Sequence, residues 1–130
     1  MPLYHVSKDK LEPVSGTSFA EEKMLERKDI QRLLKADISP LGDDLMVIFE
    51  EFSNWEDSNR RIDLLCLDKK ARIVVVEIKR SEDGGHMELQ ALRYAAMVSS
   101  MTLDQAIATY AKYLGGDGAD ERAKKEILEF

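Results

Sequence analysis

The central part of the chain contains three short runs of apolar residues that are rich in β-branched and aromatic side chains. They occupy residues 44–52, 61–68 and 72–80, and apolar runs of this length between polar turns are typical of β-strands. The second and third runs are joined by the short turn Lys69-Lys70. Consecutive strands with short connections favour antiparallel neighbours, so the pattern predicts a three-stranded antiparallel meander.

Much of the remaining chain carries apolar residues at the spacing of amphipathic helices. Ser18 and Glu21 have the spacing of a capping box at the start of the first helix, and Gly115 with Gly116 is a typical helix end. The predicted helices span residues 20–37, 86–101, 102–114 and 121–130. A short strand is predicted at residues 3–6, followed by a loop. The fold class is therefore α/β (α+β), with the meander in a mixed sheet that is flanked by helices.

Length and composition indicate one domain, residues 1–130, without a membrane span. The chain has 130 residues, of which 44% are hydrophobic, and this is enough for one core. No apolar run has the length that a membrane helix needs, and the N-terminus has no secretion signal. Cys66 is the only cysteine, which excludes an intrachain disulfide and a C-x-x-C metal site. We expect a cytoplasmic protein.

The formal net charge of −6 argues against a simple nucleic-acid-binding module, because such modules usually carry an excess of Lys and Arg. An enzyme that cleaves phosphodiesters partly escapes this objection, since its metal ligands are themselves carboxylates. The acidity nevertheless predicts that affinity for nucleic acid is weak, or that an additional domain or partner supplies it.

Three polar residues interrupt the second and third predicted strands. Alternate residues share a face of a strand, so Glu77 and Lys79 project together, and the neighbouring strand brings Asp63 close to Glu77. Mg²⁺ binds through one or two carboxylates with water and substrate phosphate, so the pattern predicts a Mg²⁺ site that also accepts Mn²⁺. The backbone carbonyl of Ile78 is a further expected ligand, and Lys79 would contact the attacking water or the scissile phosphate. The alternative is an Asp63–Lys79 ion pair with Glu77 in solvent.

The order helix, three strands, helix, with Asp63 on one strand and E-I-K at residues 77–79 on the next, resembles the PD-(D/E)xK nuclease superfamily. The resemblance covers residues 19–102 and extends to RecB-type and NucS-type nuclease domains. Ile62 replaces the proline that usually precedes the family's Asp. The resemblance implies a restriction-endonuclease-like core and a Mg²⁺-dependent endo- or exonuclease. The expected substrate is nucleic acid, with DNA favoured, in repair or defence.

The resemblance also assigns residues outside the E-x-K motif. Gln90 and Tyr94 match the Q-x-x-x-Y of RecB-type members and lie one helical turn apart, where they are expected to hold the site or a substrate phosphate. Tyr94 is equally compatible with a core aromatic whose hydroxyl is hydrated. Many members supply an acidic metal ligand from the first helix, and Glu26 is the expected residue. Arg61 and Arg80 are basic residues near the motif that are expected to bind the substrate backbone.

Other chemistry-bearing residues are weaker candidates. Glu50 and Glu51 lie near the end of the first strand of the meander, where solvated side chains are the favoured interpretation. His86 lies close to the motif and is compatible with a phosphate contact or a structural role. Trp55 is compatible with base stacking or with a packed loop. Cys66 is expected to be a small buried hydrophobe.

The family core has a fourth strand after its second helix, whereas residues 103–130 predict helices only. The chain is therefore expected to be the N-terminal part of a longer protein, or to fill that position with residues 3–6 or a neighbouring protomer. An exposed sheet edge also predicts a homodimer. A catalytically silent nuclease-like module that binds nucleic acid or protein is the alternative function, and a purely structural dimerisation domain is a third.

Overall fold

The computed structural model describes residues 1–53, 60–79 and 87–130. The predictions made for Trp55, Arg80 and His86 lie outside these residues. None of the helices in the described part combines the length and the apolar character that a bilayer span requires.

A separate two-stranded hairpin begins the chain. Its strands are β1 (Leu3–Val6) and β2 (Leu11–Val14), and they pair antiparallel with each other. Strand β1 confirms the sequence prediction, whereas β2 lies where a loop was predicted. Pro13 is compatible with β2 because an edge strand does not need every backbone N–H. Since the hairpin forms its own sheet, the expectation that residues 3–6 supply a fourth strand to the main sheet is wrong.

The main sheet consists of β3 (Leu45–Phe52), β4 (Ile62–Asp68) and β5 (Ile73–Val76), in the order β3-β4-β5. Both pairings are antiparallel, which confirms the predicted meander. The described strands include no parallel pair, so the predicted mixed sheet is not observed. A restriction-endonuclease-like core and pairing with a second protomer stay predictions.

Strand β5 ends at Val76, although the sequence predicted a strand to residue 80. The last β4–β5 pair is Leu64 with Val76, so the same register continued would place Asp63 opposite Glu77 and then Ile62 opposite Ile78. The backbone N–H of Ile78 instead donates to the Asp63 carboxylate, with N···Oδ2 2.8 Å. A side chain thus replaces the backbone acceptor, and the regular ladder stops just before Glu77.

The predicted helix over residues 20–37 is broken. The Ser18–Glu21 capping box forms, because each backbone N–H donates to the other side chain. Lys23 then adopts a left-handed conformation with φ +55°, which ends the first turn. A π-helical segment follows at Glu26–Gln31 and continues into α1 (Arg32–Ala36). The prediction of one continuous helix is therefore wrong.

The three remaining helices confirm the sequence prediction with small changes at their ends. They are α2 (Met87–Val98), α3 (Leu103–Leu114) and α4 (Ala119–Glu129). Helix α3 begins with a reciprocal Thr102–Gln105 capping box and ends at Gly115, whose φ of +62° favours glycine. The described chain after Val76 contains helices and no strand, as the sequence predicted for residues 103–130.

Apolar clusters on the two faces of the sheet hold the layers together. Every residue of β4 is buried, so this strand lies between two layers of helices. One face packs against α2, α3 and α4 through residues such as Ile48, Leu65 and Tyr110. The opposite face packs against the π-helical segment and α1 around Ile30, Leu64, Cys66 and Ile78. The fold is thus α+β, with a central antiparallel sheet.

Candidate functional site

A polar cleft of about 420 Å³ opens at the end of the sheet where β4 and β5 part. All predicted site residues that the structure describes line this cleft, and they come from the π-helical segment, β4 and the residue before it, the chain after β5, and α2. They are Glu26, Arg61, Asp63, Glu77, Ile78, Lys79, Gln90 and Tyr94. The cleft is also lined by Arg27, Gln31 and Arg60. The convergence expected from the sequence is therefore observed, while the chemical role of each residue stays a prediction.

Asp63 lies inside the protein at the point where the β4–β5 ladder stops. Its side chain is buried, with 9% relative exposure, and one oxygen accepts the N–H of Ile78. Burial raises the pKa of Asp63, and the negative charge of Glu51 raises it further, while the hydrogen bond from Ile78 opposes both. The Asp63 carboxylate is thus fixed in orientation but poorly solvated.

Glu77 is also buried, with a side chain only 4% exposed, and its Oε1 lies 3.3 Å from Lys79 Nζ. Among the described residues, its Oε2 is buried without a hydrogen-bond partner. Burial raises the pKa of Glu77, and the charge of Asp63 adds to this, while Lys79 lowers it. The alternative in which Glu77 is solvated at a strand end is therefore wrong, and Lys79 pairs with Glu77.

The ionised forms of Asp63 and Glu77 are both disfavoured in the fold, and a bound cation would relieve this. Each is removed from water, and the charge of Asp63 disfavours ionisation of Glu77. Lys79 offsets this only in part, because the pKa of Glu77 remains raised. A divalent cation between two such carboxylates would favour the ionised form of both. This is the electrostatic character expected of a hard-cation site before the ion binds.

Glu26 reaches the cleft because of the π-helical geometry of its segment. The N–H of Ile30 donates to the carbonyl of Leu25, five residues earlier, at 3.1 Å. This wider turn brings residues five apart to the same side, and Glu26 and Gln31 both line the cleft. The charge of Glu26 contributes to raising the pKa of Glu77. Its position fits the expected acidic residue of the first helix.

Gln90 and Tyr94 form the α2 side of the cleft. The Gln90 amide nitrogen donates to the Tyr94 hydroxyl at 3.4 Å, which agrees with their predicted position on one helix face. Tyr94 is only 2% exposed and packs in the larger apolar cluster. Tyr94 is therefore both a core aromatic residue and part of the cleft lining.

A group of residues beside the cleft was not identified as a site from the sequence. Gln31 is 5% exposed and donates its amide N–H to Glu51 Oε1 at 3.2 Å. Glu51 also lies within ion-pair distance of Arg27 and Arg61. Glu50, the other weak candidate, instead pairs with Lys35 at the surface. The expectation of a solvated side chain is therefore wrong for Glu51, which contacts residues of the cleft.

The donor set fits Mg²⁺ better than a metal that needs several protein ligands. In the described residues, no group of three or more His, Cys, Asp or Glu side chains is placed to hold a metal ion. Asp63 and Glu77 are a pair of hard carboxylate donors, and Glu77 Oε2 is a buried acceptor without a partner among the described residues. Mg²⁺ commonly takes one or two carboxylates and completes its shell with water and phosphate.

A second cavity, of about 390 Å³, lies on the opposite side of β3, between this strand and helices α2 and α3. Its lining includes Phe49, Phe52, Met97 and Met101, with Lys112 as its charged residue. This cavity lacks the paired carboxylates of the polar cleft. The candidate site is therefore the cleft at the strand ends.

Comparison of the chain with protein-family models, with curated proteins and with solved structures found no match.

Proposed function

We propose that this chain is a Mg²⁺-dependent nuclease domain that hydrolyses nucleic-acid phosphodiester bonds, with DNA as the expected substrate. The observation that carries the proposal is the pair Asp63 and Glu77, two buried carboxylates with raised pKa values that line one cleft together with Lys79. A structural ion pair would need only one carboxylate beside Lys79. The second buried carboxylate is costly to the fold unless a cation or a proton compensates it.

Asp63 and Glu77 would hold the metal ion, with the backbone carbonyl of Ile78 as a further candidate ligand. Glu26 lines the same cleft, but in the described part of the chain it is not placed with them as a third direct carboxylate ligand. When bound, Mg²⁺ would neutralise charge on the phosphate oxygens and lower the pKa of a coordinated water. The Ile78 N–H keeps the Asp63 carboxylate in one orientation. Such fixed orientation favours catalysis, because the ligand does not have to reorganise during the reaction.

Lys79 is the proposed electrostatic partner of the reacting phosphate. Its side chain is 27% exposed while that of Glu77 is 4% exposed, so the ammonium lies on the open side of the buried carboxylate. An ammonium in this position can donate to a phosphate oxygen or to the attacking water. Gln90 and Tyr94 add neutral hydrogen-bonding groups on the α2 side of the same cleft.

The local charge of the cleft differs from that of the whole chain. Its lining contains four cations, which are Arg27, Arg60, Arg61 and Lys79, against the three carboxylates of Glu26, Asp63 and Glu77. The chain as a whole carries a formal charge of −6. Glu51 beside the cleft pairs with Arg27 and Arg61 and brings this local balance to neutral. A bound divalent cation would then make the cleft attractive to a polyanionic substrate on an otherwise acidic domain.

The second candidate function is a catalytically silent nuclease-like module that binds nucleic acid or a protein partner. The Lys79–Glu77 ion pair favours it, because it engages one oxygen of a proposed metal ligand. In that case Lys79 and Glu77 would form a structural ion pair inside the cleft, with basic side chains at its edge. Metal binding and cleavage distinguish the two functions.

The decisive comparison is between Glu77→Ala and Lys79→Ala. Loss of Glu77 should abolish Mg²⁺ or Mn²⁺ binding and cleavage together. Loss of Lys79 should leave metal affinity unchanged or slightly higher, because an ammonium repels the cation. Cleavage should still fall about a hundredfold or more, as expected when one transition-state donor is removed. Calorimetry with Mn²⁺ and cleavage of a plasmid and of a labelled oligonucleotide would measure both quantities.

Glu50→Ala and Lys35→Ala are matched controls, since these residues form an ion pair of the same types at the surface, 2.7 Å between Nζ and Oε2. Both controls should keep wild-type metal binding and cleavage. All variants should be compared at temperatures well below their unfolding midpoints. If the wild type binds no divalent metal at millimolar concentration and cuts neither substrate, the silent-module function replaces the nuclease.

A further inference from the structure

Glu51 occupies an unusual backbone position beside the cleft. Its φ is +52°, in the left-handed region that residues with a Cβ rarely adopt. The conformation interrupts the alternation of β3, because Phe49 and Phe52 both pack on the larger apolar cluster, with ring centroids 5.6 Å apart. Glu51 lies between them and turns towards the π-helical segment, where its Oε1 accepts from Gln31.

The Glu51 carboxylate lies between two guanidinium groups that come from different parts of the chain. Arg27 Nε, from the π-helical segment, is 3.4 Å from Glu51 Oε1. Arg61 Nη1, just before β4, is 3.7 Å from Glu51 Oε2. Gln31 fixes the carboxylate from a third direction, since its amide N–H also donates to Oε1. Glu51 thus keeps two like charges close together at the edge of the cleft.

Glu51 is much less exposed than the two arginines that it contacts. The Glu51 side chain is 24% exposed, whereas those of Arg27 and Arg61 are 68% and 54% exposed. A guanidinium has five N–H donors in a planar fork, so an edge contact with Glu51 leaves other donors directed to solvent. The three side chains together carry one net positive charge. Both arginines also line the cleft that contains Asp63 and Glu77.

We propose that Arg27 and Arg61, held together by Glu51, form a second phosphate subsite that binds a backbone phosphate of the nucleic acid adjacent to the one that is cleaved. The inference rests on the proposed nuclease function and specifies its substrate as a chain with more than one phosphate. Paired guanidiniums suit this ligand, because their fork geometry matches the oxygens of a phosphate. Glu51 is a positioning residue, since it acts through the two arginines.

Binding of a fluorescently labelled oligonucleotide, measured by anisotropy with Ca²⁺ in place of Mg²⁺, tests the subsite directly. Arg27→Ala and Arg61→Ala should each weaken binding about five- to tenfold. The slope of log Kd against log salt should fall by about 0.7 to 0.9 for each lost phosphate contact. Arg32→Ala is the matched control, because Arg32 is a similarly exposed arginine, 61%, that pairs with Asp29. The control should change affinity less than twofold.

A double-mutant cycle tests the positioning role of Glu51. Glu51→Gln keeps the size of the side chain but removes the charge between the guanidiniums, and it should weaken oligonucleotide binding about threefold or more. In this background the further effect of Arg27→Ala should shrink to about twofold, since contacting residues are energetically coupled. Equal effects of Arg27→Ala in both backgrounds would overturn the positioning role.

Cleavage assays separate the subsite from the rest of the site. Loss of both arginines should lower kcat/KM for an oligonucleotide far more than for bis(p-nitrophenyl) phosphate, which has one phosphate. Equal losses on the two substrates, or oligonucleotide binding equal to that of Arg32→Ala, would overturn the subsite. If the wild type cleaves neither substrate, the nuclease proposal fails. The anisotropy measurement then still decides whether the arginine pair binds a nucleic-acid backbone.

Discussion

Asp63→Asn should make the protein more stable and inactive at the same time. The Asn side-chain carbonyl can still accept the Ile78 N–H that Asp63 accepts at 2.8 Å, so the end of the β4–β5 ladder is preserved. The substitution removes a buried negative charge from beside Glu77 and Glu51. Since burial is the largest cause of the raised Asp63 pKa, removing that charge removes a cost to the folded state.

The way in which wild-type stability changes with pH follows from the linkage between protonation and folding. A carboxyl whose pKa is raised by folding binds more protons in the folded state than in the unfolded state, between its ordinary pKa of 3.8 and its raised value. Wild-type stability therefore falls as pH rises through this window and stays lower above it. We expect Asp63→Asn to be more stable than the wild type at pH 7.5, with the gain vanishing as the pH falls to the ordinary carboxyl pKa and below.

Urea unfolding in EDTA at pH 7.5 and at pH 4 would measure this gain. Asp63→Ala should instead destabilise the protein by about 1–3 kcal/mol, because it leaves the Ile78 N–H unsatisfied. Glu50→Gln is the surface control, and it should be neutral or cost less than about 1 kcal/mol. Mg²⁺ at ten times its Kd should stabilise the wild type by about 1.4 kcal/mol and Asp63→Asn hardly at all. An Asp63→Asn variant that is less stable than wild type at pH 7.5 would refute this reasoning.

Two further predictions concern the core. Tyr110→Phe should lower the free energy of unfolding by about 1–2 kcal/mol, because it removes the 2.5 Å hydrogen bond from the tyrosine hydroxyl to Glu126 that joins α3 to α4. Urea denaturation would measure this loss against the exposed-site control Tyr4→Phe, and equal stability of the two variants would contradict it. The Cys66 thiol is fully buried, and burial raises its pKa to about 11. At pH 8 a thiol-specific disulfide reagent should therefore label it at least a hundredfold more slowly in the native protein than in 6 M guanidinium chloride. Comparable labelling rates would contradict the burial of this thiol.

The sheet could be predicted from the sequence because apolar runs and short turns specify antiparallel neighbours. The position of Asp63 opposite the chain that carries Glu77 follows from the same pattern, so the convergence of the two carboxylates was predictable. The end of β5 was not, because the hydrogen bond from Ile78 to the Asp63 side chain replaces a backbone pair. Strand propensity contains no information about such a replacement.

The parts of the site that the sequence missed depend on local departures from regular geometry. Gln31 reaches the cleft through the π-helical segment, whereas a period of 3.6 residues describes only regular α-helices. Glu51 faces the cleft residues because of its positive φ, although simple strand alternation would place it with Phe49. Residues with a Cβ rarely adopt this conformation, so a sequence pattern gives no signal for it.

The central claim is that Asp63 and Glu77 together bind a divalent metal ion. A crystal soaked in millimolar Mn²⁺, measured at the manganese absorption edge, would test it most directly. We expect an anomalous peak with a carboxylate oxygen of each residue at about 2.1–2.2 Å, close to the distance expected for a hard divalent cation. The peak should disappear in Asp63→Asn and persist in Lys79→Ala. Absence of a peak in the wild type, with the Lys79–Glu77 ion pair intact, would contradict the metal site and the nuclease function built on it.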